Sequence, residues 1–232
     1  MTAKILIFNK PYGVVSQFTD LDGSPGLRRF LNGEEMKGFY PAGRLDKDSE
    51  GLILLTNNGK LQNFLADPKH KVLKQYLTQV EGESRPDIVE SFAEGLMLKD
   101  GKTKPALISN TSKPTWLAER DPPIRFRKND CTSWFRITLS EGKNRQVRRM
   151  TAAVNLPTLR LIRIAYGDFS LDKFNATHLR VPGSWAFVDP KDVDSKLTYE
   201  FLDKLAIRSE RRPAKNSSRY SYARQPSRKP KR

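Results

Sequence analysis

A chain of 232 residues, 37% hydrophobic and 29% charged, is long enough to bury a full core as one large domain or two small ones. Its 42 Lys+Arg against 26 Asp+Glu give a net charge of +16 and a pI near 10, which points to a polyanionic partner, either nucleic acid or an anionic membrane surface. One cysteine, Cys131, excludes an internal disulfide or thiolate cluster, two histidines are too few for a histidine metal centre, and no apolar stretch approaches the roughly 20 residues that span a bilayer.

In chain order, KILIFN (4–9) predicts a first strand, closed by the Lys10-Pro11-Tyr12-Gly13 turn. The strand's apolar core is too short for a signal peptide and has no cleavage site behind it, so a cytoplasmic chain without a cofactor is expected. VVSQFTD predicts a second short strand, and Asp22-Gly23 a turn. GLILLT (51–56) reads as a buried strand, followed by a short helix capped by Thr56 or Asn57, with Leu61, Phe64 and Leu65 on one face and Pro68 at its end. KQYLTQVEG (74–82) is strand-like, with Tyr76, Thr78 and Val80 on one side. SRPDIVESFAEGL predicts a helix with Ser84 as N-cap, an Ile88, Val89 and Phe92 stripe, and Gly95 at its end.

MLKDGKTKPALISN reads as a hairpin about Asp100-Gly101, and the Pro-broken stretch 113–130 has no assignable structure. SWFRITLSEG (133–142) alternates as a strand does. In KNRQVRRMTAAVNLP, Arg145, Arg148 and Arg149 share one helical face, with Val147, Met150 and Val154 opposite. TLRLIRIAYGDF (158–169) predicts another strand, and residues 182–206 a weaker last segment. Hairpins interrupted by single helices imply an α+β domain with a mixed, mostly antiparallel central sheet and flanking helices, ending near residue 206. Residues 208–232 hold ten Lys/Arg and one acid and are rich in Pro and Ser. The 207–232 segment is therefore expected to be a disordered basic tail, in which Tyr220 and Tyr222 could stack on RNA bases.

The stretch with most chemistry is GRLDKDSEGLILLTNNG (43–59), in which Asp46, Asp48 and Glu50 precede the apolar run. By residue type alone these acids fit a structural loop best, with a glycosidase-like pair and a magnesium site as weaker alternatives. The arginine face of the 144–154 helix carries no acids of its own, and Asn144 and Gln146 add amide donors beside it. A phosphate-binding helix is the expectation.

GRLDKDSEGLILLTNNG closely resembles the catalytic motif of the small-subunit type pseudouridine synthases, roughly GRLDxxSEGLLLLTNDG. Three further stretches are similar in the same order: FNKPYGVVSQFTD to an N-K-P-x-G segment, KQYLTQVEG to a K-x-Y-x-V strand, and SEGKNRQVRRM to an E-G-x-x-R-Q-[IV]-R-R-M helix. The resemblance covers residues 4–170. It implies the pseudouridine synthase catalytic fold and isomerisation of a uridine after base flipping. It also implies Asp46 as nucleophile, Arg148 as the basic residue paired with it, and Tyr76 stacked on the base. Arg44, Lys10, Lys74, Arg145, Gln146 and Arg149 are the expected RNA contacts. Many members carry an N-terminal S4-type domain, and none is expected here. The resemblance implies a uridine of 23S rRNA, naked or in a large-subunit assembly intermediate. A monomer is expected, with no metal and no membrane. The rival readings are a non-catalytic RNA-binding assembly factor and a hydrolase that uses Asp46 with Asp48 or Glu50.

Overall fold

The computed structural model describes residues 4–70, 72–124, 131–171 and 177–188. The predicted basic tail and most of the last segment lie outside these residues. The strands are β1 (Ile5–Lys10), β2 (Tyr40–Pro41), β3 (Glu50–Thr56), β4 (Lys74–Glu81), β5 (Met97–Leu98), β6 (Gly101–Lys102), β7 (Leu107–Thr111), β8 (Thr132–Leu139), β9 (Thr158–Tyr166), β10 (Phe169–Ser170) and β11 (Trp185–Phe187). The α-helices are α1 (Gly59–Ala66), α2 (Asp87–Glu94) and α3 (Gln146–Ala153).

Most of the strands form one sheet in the order β11-β1-β3-β9-β4-β8-β7, with β2 added to β3 and β10 to β9. Among the described residues, only the β3–β9 pairing is parallel; the other pairings in the sheet are antiparallel. The fold is thus the expected α+β arrangement. β3 lies near the middle of the sheet and is buried along its whole length, which is why its sequence is an unbroken apolar run and does not alternate. Its side chains still divide by the strand's period of two. Ile53 and Leu55 join Leu6 and Phe8 of β1 in a core with Ile88 and Phe92 of α2 and Val147 and Met150 of α3. Leu52 and Leu54 join Ile5, Ile7 and the α1 residues Leu61 and Leu65 in a second core.

Gly51 is where β3 and β9 meet. It sits at φ +101, and a Cβ there would fall 2.3 Å from the carbonyl oxygen of Arg163. Only glycine allows this close parallel contact. The contact brings the end of the 43–49 loop against β9.

Local departures from the sequence reading have clear causes. VVSQFTD forms no strand. Its backbone bonds to the 25–27 segment, with Val15 N–H donating to Pro25 and Leu27 N–H to Gln17, and the Ser16 hydroxyl serves the 43–49 loop. Asn58 caps α1, accepting from the N–H groups of Lys60 and Leu61, in place of Thr56 or Asn57. Ser84 does not cap α2; it donates to Asn110 of β7. Val89 is exposed, so the buried stripe of α2 is Ile88 and Phe92. Within the unassigned 113–130 stretch, Trp116 and Leu117 pack on Leu77, Ile162 and Ile164 of the sheet.

Candidate active site

The 43–49 loop is held from two sides. On the β1 side, Ser16 grips Leu45 twice, donating its hydroxyl to the Leu45 carbonyl at 2.6 Å and accepting the Leu45 N–H at 3.0 Å. Gly13 N–H donates to the Lys47 carbonyl at 2.9 Å. Lys10 is fully buried at the end of β1, its ammonium donating to the carbonyls of Val14 at 2.7 Å, Pro11 at 2.9 Å and Lys47 at 3.4 Å. Burial lowers its pKa to about 7, against the opposing pull of Glu50, Asp48 and Asp46. Lys10 was expected to contact RNA. It is enclosed and spent on backbone carbonyls, so it anchors the loop and presents no charge at the surface.

On the α3 side, Arg145 makes a two-pronged pair with the Asp48 carboxylate at 2.8 and 2.7 Å, and its guanidinium lies 3.7 Å from Asp46. Arg148 donates to the backbone carbonyl of Asp48 at 2.6 Å and to that of Thr158 at 3.3 Å, and stands 3.4 Å from the Asp48 carboxylate. The arginine in ion-pair reach of Asp46 is therefore Arg145, and the pairing expected of Arg148 goes to Asp48. The cause is local. Arg145 precedes the first turn of α3 in a left-handed conformation, φ 47 and ψ 35, which takes it off the helical face assumed from the sequence. Such backbone is costly for a side chain with a Cβ and is held here by its surroundings.

Asp48 has its pKa held low: burial pushes it up, but hydrogen bonds from Arg145 and the charge of Arg148 outweigh that. Burial lowers the pKa of Arg148, against the opposing charges of Asp48 and Asp46.

The loop opens into a cavity of about 890 Å³, within the range small-molecule sites occupy. Arg44, Asp46, Asp48, Lys74, Tyr76, Lys143, Arg145, Gln146, Leu161, Arg163 and Tyr166 line it. Tyr76 comes from β4 and is nearly buried, so its ring forms wall rather than rim. Lys74, two residues earlier, donates to the Val72 carbonyl, and its ammonium lies 5.1 Å from the Tyr166 ring centroid. Burial, together with the charge of Arg163, lowers its pKa to about 8. Exposed Arg44 and Arg145 mark the mouth.

Two further expectations need correction. Gln146 is buried and turned inward: its amide donates to the Glu141 carboxylate and its carbonyl accepts the Lys143 N–H at 2.9 Å, which fixes the turn into α3. Its polar groups are used within the protein, not on RNA. Arg149 is engaged with Asp100 of the β5–β6 hairpin at 2.6 and 3.2 Å and does not line the cavity. The cationic face of α3 thus meets acids from elsewhere in the chain, Asp46, Asp48 and Asp100, which no local pattern reveals.

Ser16, Lys143 and Arg163 also line the cavity, and the sequence reading missed them. Arg163 carried a usable signal, since a charge inside the apolar run LRLIRIAY demands a buried partner or a ligand. Among the described residues, no group of three or more His, Cys, Asp or Glu converges as metal ligands would, and no helix is long and apolar enough to cross a membrane.

Comparison with known proteins identifies the family. Residues 4–153 match the RNA pseudouridylate synthase family. The chain belongs to that family. It is 48% identical over 182 residues to ribosomal large subunit pseudouridine synthase E of Vibrio parahaemolyticus, spanning 78% of this chain and 72% of the relative. It is 44% identical over 189 residues to the protein of the same name from Xanthomonas campestris, spanning 82% and 97%. A solved pseudouridylate synthase superposes with a TM-score of 0.66 at 27% identity, over 84% of this chain and 74% of that one. The enzyme is an RNA pseudouridine synthase, an isomerase.

Proposed function

We propose that this enzyme converts a uridine of large-subunit (23S) rRNA to pseudouridine, acting as a cytoplasmic monomer with Asp46 as its nucleophile. The observation that carries this reading is a carboxylate on a doubly anchored loop, opening into a cavity walled by Tyr76 and rimmed by arginines. The names of the large-subunit relatives support the substrate class.

The reaction breaks the N1–C1′ bond, joins C5 to C1′, and moves one proton from C5 to N1, so mass is unchanged. Asp46 attacks the flipped nucleotide and must remain charged while doing so; Arg145 supports that charge. Tyr76 stacks on the base, and its hydroxyl helps remove the C5 proton. Arg148 keeps the loop backbone in place through Asp48. Arg44, Arg145 and Lys74 meet the RNA strand around the flipped base, which cannot react while stacked.

The test is tritium release from 23S rRNA labelled at uridine C5, offered as naked transcript and as large-subunit assembly intermediate, with pseudouridine mapping of the products. Release at one position with no mass change is expected. Abasic product would make the chain a hydrolase, and tight binding without release would make it an assembly factor.

A further inference from the structure

Strand β9 carries two buried arginines three residues apart, and their surroundings differ. Arg160 is fully used. It forms a two-pronged pair with buried Glu50, both contacts at 2.8 Å, and donates to the Ala118 carbonyl at 2.8 Å. Arg163, 3% exposed, has one side-chain hydrogen bond among the described residues, from Nε to the Leu52 carbonyl at 2.8 Å. Among the described residues it forms no ion pair, and its Nη2 is buried without a partner. Removing a guanidinium from water without a counter-ion is expensive, and such a group calls for an explanation.

Its position supplies one. Arg163 lines the active-site cavity and lies directly across from Tyr76 on one side and Gly51 on the other. Its guanidinium is seated 4.8 Å from the Tyr166 ring centroid, which with the Leu52 bond keeps the charge in one place. The exposed arginines at the mouth are suited to phosphates. A cation in the inner wall instead faces whatever part of the substrate enters deepest, which for a flipped nucleotide is the base.

We propose that Arg163 supplies the fixed positive charge that offsets the negative charge on the uracil ring while the ring is detached from ribose. The inference rests on the uridine-isomerising reading above. When the N1–C1′ bond breaks, its electron pair leaves with the ring, which is an anion with charge on N1 and the two carbonyl oxygens. That charge is consumed when C5 bonds to C1′, and loss of the C5 proton returns it to the ring until N1 is protonated. A preorganised cation in a site closed to water acts on such transient charge without reorganising. Arginine is required because neighbouring lysines in this region yield their protons easily, whereas a guanidinium does not.

Single-turnover tritium release and RNA affinity are to be measured together for the native chain, R163M and R163K. R163M is expected to slow release by about 100-fold while affinity changes by no more than about threefold. R163K keeps a cation of similar length and serves if R163M fails to fold. Its rate relative to native should fall as pH rises from about 6 to about 9, as a buried lysine loses its proton. The ratio is used because other ionisable side chains surround this part of the cavity: Lys10 on β1, Glu50 on β3, Lys74 and Tyr76 on β4, Tyr166 on β9, and Asp46 and Asp48 on the loop. A loss confined to affinity would make Arg163 a phosphate contact and overturn the proposal. So would an R163K ratio that does not change with pH. A native chain inactive on this RNA would instead overturn the substrate assignment.

Discussion

The two sides of the 43–49 loop are held by different chemistry. The β1 side uses a hydroxyl, a glycine N–H and a sequestered ammonium, all directed at backbone carbonyls or N–H groups. The α3 side uses guanidinium groups, directed at both backbone and carboxylates and partly open to solvent. The first fixes where the loop is; the second also sets the charge around Asp46. Disrupting the first should therefore cost mainly stability, and disrupting the second mainly rate.

The largest effect should come from Arg148→Ala. It removes the half-buried donor to the Asp48 carbonyl and one of the charges facing Asp48, and should lower kcat by about 10²-fold or more, with RNA affinity little changed. A fall in affinity alone would show Arg148 to be a phosphate contact and dissolve the distinction. Next is Lys10→Met, read as stability against pH. Because burial lowers the Lys10 pKa to about 7, the unfolded chain binds the extra proton between there and the ordinary lysine value. Native stability should therefore rise with pH across that window relative to Lys10→Met, by roughly a few kcal/mol, in thermal or denaturant unfolding. Parallel curves would mean that Lys10 is not enclosed as described.

Ser16→Ala should be smaller, losing two hydrogen bonds to Leu45 and about 1–3 kcal/mol, with kcat reduced less than in Arg148→Ala. Smallest is Asp100→Asn, which weakens an exposed pair with Arg149 far from the chemistry. It should change stability by less than about 1 kcal/mol and leave turnover unaltered.

How much of this was legible in the sequence depended on whether the determinants were local. β3 and β4 announced themselves through apolar runs and alternation, and the buried face of α3, Val147, Met150 and Val154, followed from helical spacing. The 43–49 loop stood out through GRLDKDSEG. Lys10 was misread because a lysine is ordinarily a surface residue, and only the fold brings the Val14 and Lys47 carbonyls around its ammonium. Val14 and Val15 are buried as a strand's residues would be, yet their segment bends because Ser16 is committed to a loop 29 positions away. The exchange of roles between Arg145 and Arg148 turned on one left-handed residue and on contacts about 100 positions apart. Nothing in a helical pattern encodes either.

The most direct measurement compares Asp46→Asn with Asp48→Asn for tritium release from C5-labelled rRNA, with RNA affinity and melting temperature recorded for both. If Asp46 does the chemistry and Asp48 holds the loop, Asp46→Asn binds RNA and melts like the native enzyme but releases no tritium. Asp48→Asn then melts earlier and keeps a reduced rate. Tritium release by Asp46→Asn would contradict the assignment of the nucleophile, whatever Asp48→Asn does.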